Sequence, residues 1–453
     1  MAEKQLGDFL KRIKRPIELQ PNKRYKLVTI KLYQKGVDLR TEKRGSEIKS
    51  PMSIVRAGDF ILSGIDARNG AFGIVPTELD GAVVTNDFWC LEIDPLVIDK
   101  RLFLELTTAT WFNEICRQCS SGTTQRIRLD KRLFFQHTIQ LPPLEDQPKI
   151  LSAILRIKAQ QSELQHLFQE RAVLIKQLRA SLLQEAISGQ MTAEWRLNYP
   201  NTEPAHILLN RIAEEKAELV RTKQIKKEKP LPPVSDDDTL FDIPSGWEWM
   251  RLGDACSTSS GGTPSRSNAS FWSGNITWYK SGEMTDVPSP LISNSEEQIS
   301  DEGLNSSSAR IFQPGTLLIA MYGATAGKMS ILGVPAATNQ AVCGVVPIPN
   351  GIDTIFLFRH IEASRPKILA DSWGMSQPNI SQTYLRGFVV PLPPLEEQKE
   401  IVRRLEAKLK AVQGLQDKLN EDLETAQTLL KAKLKEVFEK KDAQPTASLS
   451  PSV

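Results

Sequence analysis

The sequence predicts an α+β fold in which two similar α/β domains are joined by two long antiparallel coiled-coil helices, with a pseudo-two-fold axis between them. Three observations carry this. The stretch Leu141-Pro142-Pro143-Leu144-Glu145-Asp146-Gln147 returns as Leu392-Pro393-Pro394-Leu395-Glu396-Glu397-Gln398. The offset of 251 residues then holds without a gap, so that Leu164 maps to Leu415, Leu178 to Leu429 and Glu185 to Glu436. Landmarks in the preceding segments recur in the same order. A period this long is too large for a solenoid and describes one domain-plus-helix unit used twice.

Each helix has a legible entrance. Prolines suit a first helical turn, and the acidic residues after them face the positive end of the helix dipole. In the first helix a 4-3 spacing selects Ile150, Ile154, Ile157, Gln161, Leu164, Phe168, Arg171, Ile175, Leu178 and Leu182, eight of ten apolar. In the second it selects Val402, Leu405, Leu409, Val412, Gln416, Leu419, Leu423, Ala426, Leu430 and Lys433, again eight of ten. Each spans about 65 Å at 1.5 Å per residue. Neither can hide its stripe alone, and the chain order makes mutual packing antiparallel.

The globular segments share scaffold landmarks. Leu6-Gly7-Asp8 matches Leu252-Gly253-Asp254, and Ala57-Gly58-Asp59-Phe60-Ile61-Leu62 matches Pro314-Gly315-Thr316-Leu317-Leu318-Ile319. Val84-Thr85-Asn86-Asp87 matches Ala337-Thr338-Asn339-Gln340, and Gly122-Thr123-Thr124-Gln125 matches Gly374-Met375-Ser376-Gln377. Short β-branched runs with Gly and Pro punctuation, and helices near 100–119 and 352–370, indicate mixed α/β domains. The expected order is domain one (1–140), helix one (141–190), a connector with a charged helix (191–242), domain two (243–391), helix two (392–441) and a flexible tail (442–453).

Composition excludes several classes. No apolar run reaches the roughly 18 residues that span a bilayer, and the charged amino terminus lacks a signal-peptide core. Five cysteines fit a reducing cytosol better than a disulfide framework, so a cytoplasmic protein without a membrane partner is expected. Charge is unevenly spread: residues 1–57 hold fifteen Lys/Arg against six Asp/Glu, and residues 245–391 hold nine against eleven.

Duplication suggests a use. Duplex DNA has local two-fold symmetry, and paired readers on a two-fold spacer suit successive major grooves, roughly 34–36 Å apart. Base readout needs Arg, amides and hydroxyls. Domain one offers Arg40, Lys43, Arg44, Lys49, Arg68, Asn69, Arg126 and Arg128. Domain two offers Thr263, Ser265, Arg266, Asn268, Lys280, Tyr322, Lys328, Asn339, Gln340, Gln377 and Asn379.

The chain resembles a specificity subunit of a type I restriction–modification system. The resemblance rests on the doubled helix starts and on Ala186-Ile187-Ser188-Gly189-Gln190-Met191-Thr192-Ala193-Glu194-Trp195-Arg196. Ile243-Pro244-Ser245-Gly246-Trp247-Glu248-Trp249 and Gly261-Gly262-Thr263-Pro264-Ser265 add to it. It implies two target-recognition domains, each reading half of a bipartite, asymmetric double-stranded DNA target, with the helices as a ruler. It implies docking of two adenine-N6 methyltransferase subunits, which two motor–nuclease restriction subunits can join. S-adenosylmethionine, ATP and Mg would belong to those partners, with no cofactor in this chain. No Gly-Trp-Glu-Trp entrance precedes Leu6, so the first domain departs from the pattern there.

A non-catalytic chain is expected. Gly323-Ala324-Thr325-Ala326-Gly327-Lys328 has three residues between its glycines where a nucleotide loop needs four, and Met329 follows the lysine. Cys116 and Cys119 form a single pair, short of four zinc ligands. Asn198-Tyr199-Pro200 is misordered for an adenine-flipping loop, and Glu406-Ala407-Lys408 lies in the second helix without a nuclease aspartate. The alternative is a coiled-coil adaptor whose end domains bind proteins or other ligands, which the acidic second domain favours.

Overall fold

The structure, a computed structural model, describes residues 2–108, 110–122, 127–239, 241–284, 291–372 and 379–439. The chain divides into two compact units, 1–167 with 423–453 and 168–422. Each unit takes the beginning of one long helix and the end of the other, as an antiparallel couple requires.

The units repeat one topology. In unit one the strands Leu10–Ile13, Phe88–Ile93, Phe60–Ser63 and Phe72–Ile74 lie side by side in that order, antiparallel. Unit two has Cys256–Ser260, Val342–Pro347, Leu317–Ala320 and Met329–Leu332 in the same order, with Leu291–Ile292 added parallel at the edge. The strand leading into each long helix pairs antiparallel with the first strand of its domain: Ala2–Gln5 with Thr138–Leu141, and Glu248–Arg251 with Val389–Leu392. The first domain therefore has its entrance strand after all, in a sequence without the Trp motif. Helices Lys100–Thr107 and Thr110–Gln118 in unit one, and Thr354–Asp371 in unit two, cover these sheets.

Divergence sits beside this scaffold. Unit one carries a second, five-stranded sheet that includes the hairpin Arg24–Ile30 and Val37–Arg44. Among the described residues of unit two the second sheet is three-stranded. The first core is rich in aromatics, with Phe60 against Phe103 at 5.2 Å and Phe72 against Phe112 at 5.1 Å. The second is mainly aliphatic.

The long helices run Gln147–Ile187 and Leu395–Glu439. The glutamine of each repeated motif explains their seating. Gln398 accepts the Asp353 N–H through Oε1 at 2.7 Å and donates through Nε2 to the Pro393 carbonyl at 2.9 Å. Gln147 does the same with the Asp99 N–H (2.9 Å) and the Pro142 carbonyl (3.1 Å), and also with Val97 (2.8 Å). Asp99 and Asp353 in turn cap the covering helices by accepting from the N–H groups two and three residues on. Both glutamines are buried. Each joint locks a long helix to the first turn of a domain helix.

A second buried group reinforces the joint in unit two. Glu397 accepts from Trp247 Nε1 at 2.8 Å, Arg196 Nη1 at 2.5 Å and Thr192 Oγ1 at 2.6 Å. Gly189 supplies the turn at φ 76°, and a side chain there would meet Pro244 at 2.6 Å. These are the distinctive residues of the two motifs between the halves. Nearby, Arg359 is buried between Glu406 (2.7 Å) and Glu362 (2.8 Å), and Arg179 of the first helix also holds Glu362 at 2.6 Å. Glu406 is thus a structural ion-pair partner.

The second helix seam follows expectation through Leu430, and Leu434 packs inward where Lys433 was expected. The first seam changes phase. Arg171 and Leu178 are exposed, while Ala172 and Arg179 take the inward positions before Leu182 and Leu183. A strict 3.5-residue repeat drifts from the 3.6 residues per turn of a straight helix, so past Phe168 the expected positions Ile175 and Leu182 face inward while Arg171 and Leu178 do not. The connector is a helix, Ala205–Arg221, and a strap held by Arg251, which donates to the Pro232 and Pro233 carbonyls and pairs with Asp238 at 2.7 Å. The proposed flexible tail lies outside the described residues.

Three outcomes are expected. Gln398→Ala strands the Asp353 amide and should cost about 1–3 kcal/mol in denaturant unfolding, whereas a loss near zero would remove the joint from this account. Leu182 is 7% exposed and Leu178 43%, so Leu182→Ala should cost about 2–5 kcal/mol. Leu178→Ala should cost much less, and the reverse order would restore the unshifted seam. His360 is fully buried, and burial lowers its pKa to about 4 from 6.5. The unfolded chain binds the extra proton, so this stability is complete above pH 6.5 and declines as pH falls toward 4, by about 3 kcal/mol in all. His360→Phe should flatten that slope in unfolding measured across the window.

Candidate nucleic-acid interface

In unit two, ladder pairing ends at Ser260–Cys343 and Ala320–Val342. The residues just beyond converge there. Thr263 Oγ1 donates to Gln340 Oε1. The Met321 N–H bonds to the Ala341 carbonyl at 2.8 Å, and Tyr322 bridges to Asn379. Thr263, Gln340, Tyr322 and Asn379 thus form a polar row at one end of the sheet. Gln340, Tyr322 and Asn379 are exposed. The repeated glycines before Thr263 are there for proximity: a Cβ on Gly261 would lie 2.1 Å from the Thr338 carbonyl, and one on Gly262 2.3 Å from the Ala309 amide. Trp278 Nε1 donates to the Gly262 carbonyl at 3.0 Å, holding the loop down.

Arg266 belongs to a neighbouring cluster. Its guanidinium stacks 3.5 Å from the Trp272 ring centroid and pairs with Glu297 at 2.5 Å. Lys280 bridges Glu297 (2.8 Å) and Glu296 (3.0 Å). The hydrogen bond that Arg266 donates holds the Glu297 carboxyl below the usual range, and the one that Lys280 donates to Glu297 raises Lys280. Two cations face two carboxylates, so this cluster presents aimed donors with little net charge. Ser265 Oγ contacts Ser267 Oγ at 2.8 Å.

Other candidates have structural employment. Asn339 Oδ1 accepts from the Ala341 N–H at 3.1 Å and shapes its own turn. Asn268 caps the short turn Ala269–Trp272. Lys328 is half-buried at the entry to Met329–Leu332. The Gly323–Thr325 turn links two antiparallel strands, whereas a phosphate loop leads from strand to helix.

Unit one splits its candidates. Arg40, Lys43 and Arg44 are exposed on the edge strand Val37–Arg44, and Lys49 follows the turn Gly45–Glu47. Arg68 and Asn69 occupy the turn Ala67–Asn69, the counterpart of Gly323–Thr325. Arg128 pairs with Asp87 at 3.1 Å. Asp87 holds the place of Gln340, so an acidic group and its arginine replace the amide. Sequence reading overlooked Arg12, which stacks 4.8 Å from the Trp89 ring centroid and donates to the Asn86 carbonyl at 2.7 Å. It also overlooked Tyr33 and Gln34 beside Asn69. Arg126 and Gln377 lie outside the described residues, as do the motif residues 123–125 and 374–377.

Cys116 and Cys119 are buried, and desolvation pushes the Cys116 thiol up to about 12. Among the described residues no cluster of His, Cys, Asp or Glu could hold a metal ion, and no helix is long and apolar enough to cross a membrane.

A family model described as type I restriction modification DNA specificity domain matches residues 1–171 and 244–425. The type I restriction enzyme EcoAI specificity subunit of Escherichia coli is 31% identical over 242 residues, 51% of this chain and 39% of that protein. The EcoEI specificity subunit of Escherichia coli is 27% identical over 276 residues, 55% of this chain and 43% of that one. The chain thus spans about two-fifths of the length of these two relatives. The HindI specificity subunit of Haemophilus influenzae is 24% identical over 325 residues, 65% of this chain and 67% of that one. The fold is that of a chain from a structure of assembly and conformational transition in the type I restriction–modification system, with a TM-score of 0.66, 18% identity and coverage of 96% and 97%. The HsdS subunit of Thermoanaerobacter tengcongensis gives a TM-score of 0.50 at 18% identity, covering 96% of each chain. With both domain-plus-helix units matched in one family model, the chain belongs to the family of type I restriction–modification DNA specificity proteins.

Proposed function

We propose that this chain is the non-catalytic, sequence-reading subunit of a cytoplasmic type I restriction–modification complex. Each unit reads one half of a bipartite, asymmetric duplex target, and the length of the long helices sets the gap. The helices and adjoining surfaces dock two adenine-N6 methyltransferase subunits, which two motor–nuclease subunits join. S-adenosylmethionine, ATP and Mg act on those partners.

The observation that carries this reading is the row Thr263, Gln340, Tyr322 and Asn379, set against its counterpart in unit one. The two share a strand order but carry different side chains, as readers of two different words require. Amides, hydroxyls and a phenol match base edges in the major groove, with Gln suited to the adenine N6 and N7 positions. The slight acidic excess of residues 245–391 is the one feature that favours a protein-binding adaptor. Phosphate neutralisation by partner subunits answers it, because backbone charge and base readout are separate contributions.

Footprinting of the chain with its methyltransferase partner should give two protected patches about one helical turn apart. Uniform protection, or none, would support the adaptor. Gln340→Ala should relax one half-site only, by about 1–3 kcal/mol in competition binding. Equal weakening on random DNA would take Gln340 out of the reading row.

A further inference from the structure

Unit one holds a turn whose backbone and side chains disagree with each other. Residues 31–36 join the strands Arg24–Ile30 and Val37–Arg44. At its tip Tyr33 and Gln34 both adopt left-handed backbone, with φ 59° and 60°. Hairpin turns of this hand normally place Asn or Gly at such positions, because a Cβ crowds the backbone there. The conformation is imposed from outside. The Tyr33 N–H bonds to the Asn69 carbonyl and the Gln34 N–H to the Gly70 carbonyl, each at 2.9 Å. Lys31 N–H closes the turn on the Gly36 carbonyl at 2.9 Å. Tyr33 is nevertheless 74% exposed, so its ring adds little to the core. A bulky aromatic kept in a disfavoured conformation and pointed at solvent indicates a role outside folding.

Its surroundings indicate which. The brace is the Ala67–Asn69 turn that carries Arg68 and Asn69. The counterpart turn in unit two, Gly323–Thr325, is directly preceded by the exposed Tyr322 of the polar row. Both units therefore set a tyrosine beside the same turn of the scaffold, each from a different chain segment. The segment bearing Tyr33 also lies within the first 57 residues, where Lys/Arg outnumber Asp/Glu by fifteen to six. We propose that Tyr33 and Gln34, braced on residues 67–70, form the base-reading tip of unit one and determine the identity of its half-site. This rests on the DNA-reading function above. The Gln34 amide suits adenine, and the Tyr33 ring offers an apolar face for a thymine methyl with a hydroxyl at its edge.

The test uses the substitution the turn itself prefers. Tyr33→Gly and Gln34→Gly remove the side chains while relieving the left-handed constraint, so the turn keeps its shape. Each variant replaces the native chain in the source cell, and methylated adenines are mapped across the genome. The expected result is a relaxation of about tenfold at bases of one half-site, with the other half-site intact as proof of a folded, assembled subunit. Gln340→Ala should affect the opposite half-site. If the wild-type chain directs a bipartite motif and both glycine variants leave it unchanged, the tip is not a reader, although DNA reading stands. Loss of methylation at every site would make the turn a structural element and overturn the assignment. Absence of any bipartite motif with the wild-type chain would remove the functional reading together with the tip.

Discussion

A buried side-chain amide at the start of each long helix governs this architecture. Gln147 and Gln398 each satisfy a domain amide and the carbonyl of a motif proline, in places that water cannot reach. Removing such a group leaves polar atoms stranded, so neither helix can tilt or slide without breaking bonds that have no replacement. The packed stripes supply cohesion, but cohesion alone tolerates slippage by a turn. Directional bonds fix where each helix begins and therefore what its length means.

Unit two adds charge to this device. Glu397 is held by an indole, a guanidinium and a hydroxyl drawn from two motifs on either side of the connector. A buried carboxylate is tolerated only when its oxygens are this fully occupied. The Arg179, Glu362, Arg359 and Glu406 chain then ties a domain helix to both long helices within the same unit. Specific polar contacts at the joint and apolar contacts along the seam divide the work of orientation and stability.

Much of this was legible in the residues. The doubled motif gave the repeat and both helix entrances, and the spacing gave the second seam almost to its end. Past Phe168 the first seam held at Ile175 and Leu182 and missed at Arg171 and Leu178, which fit a heptad template as well as Ala172 and Arg179 fit the real helix. Pattern alone cannot choose between neighbouring phases. Among the candidate site residues, Thr263, Gln340, Tyr322 and Asn379 come from distant segments, and their meeting depends on ladder register. Asn339 and Asn268 had suitable chemistry but spend it on their own turns. Tyr33 and Gln34 carried no signal, since nothing local predicts a left-handed tyrosine; carbonyls 36 residues downstream in unit one, those of Asn69 and Gly70, impose it.

The strands Phe88–Ile93 and Val342–Pro347 run between the differing loops and the helix joints. The differing residues Asp87 and Gln340 lie just before these strands, and the residue clamped by the helix glutamine lies past each strand's end. Each strand is six residues, about 20 Å, long. The loops at one end of these strands differ between the units, while the glutamine joints at the other end are alike.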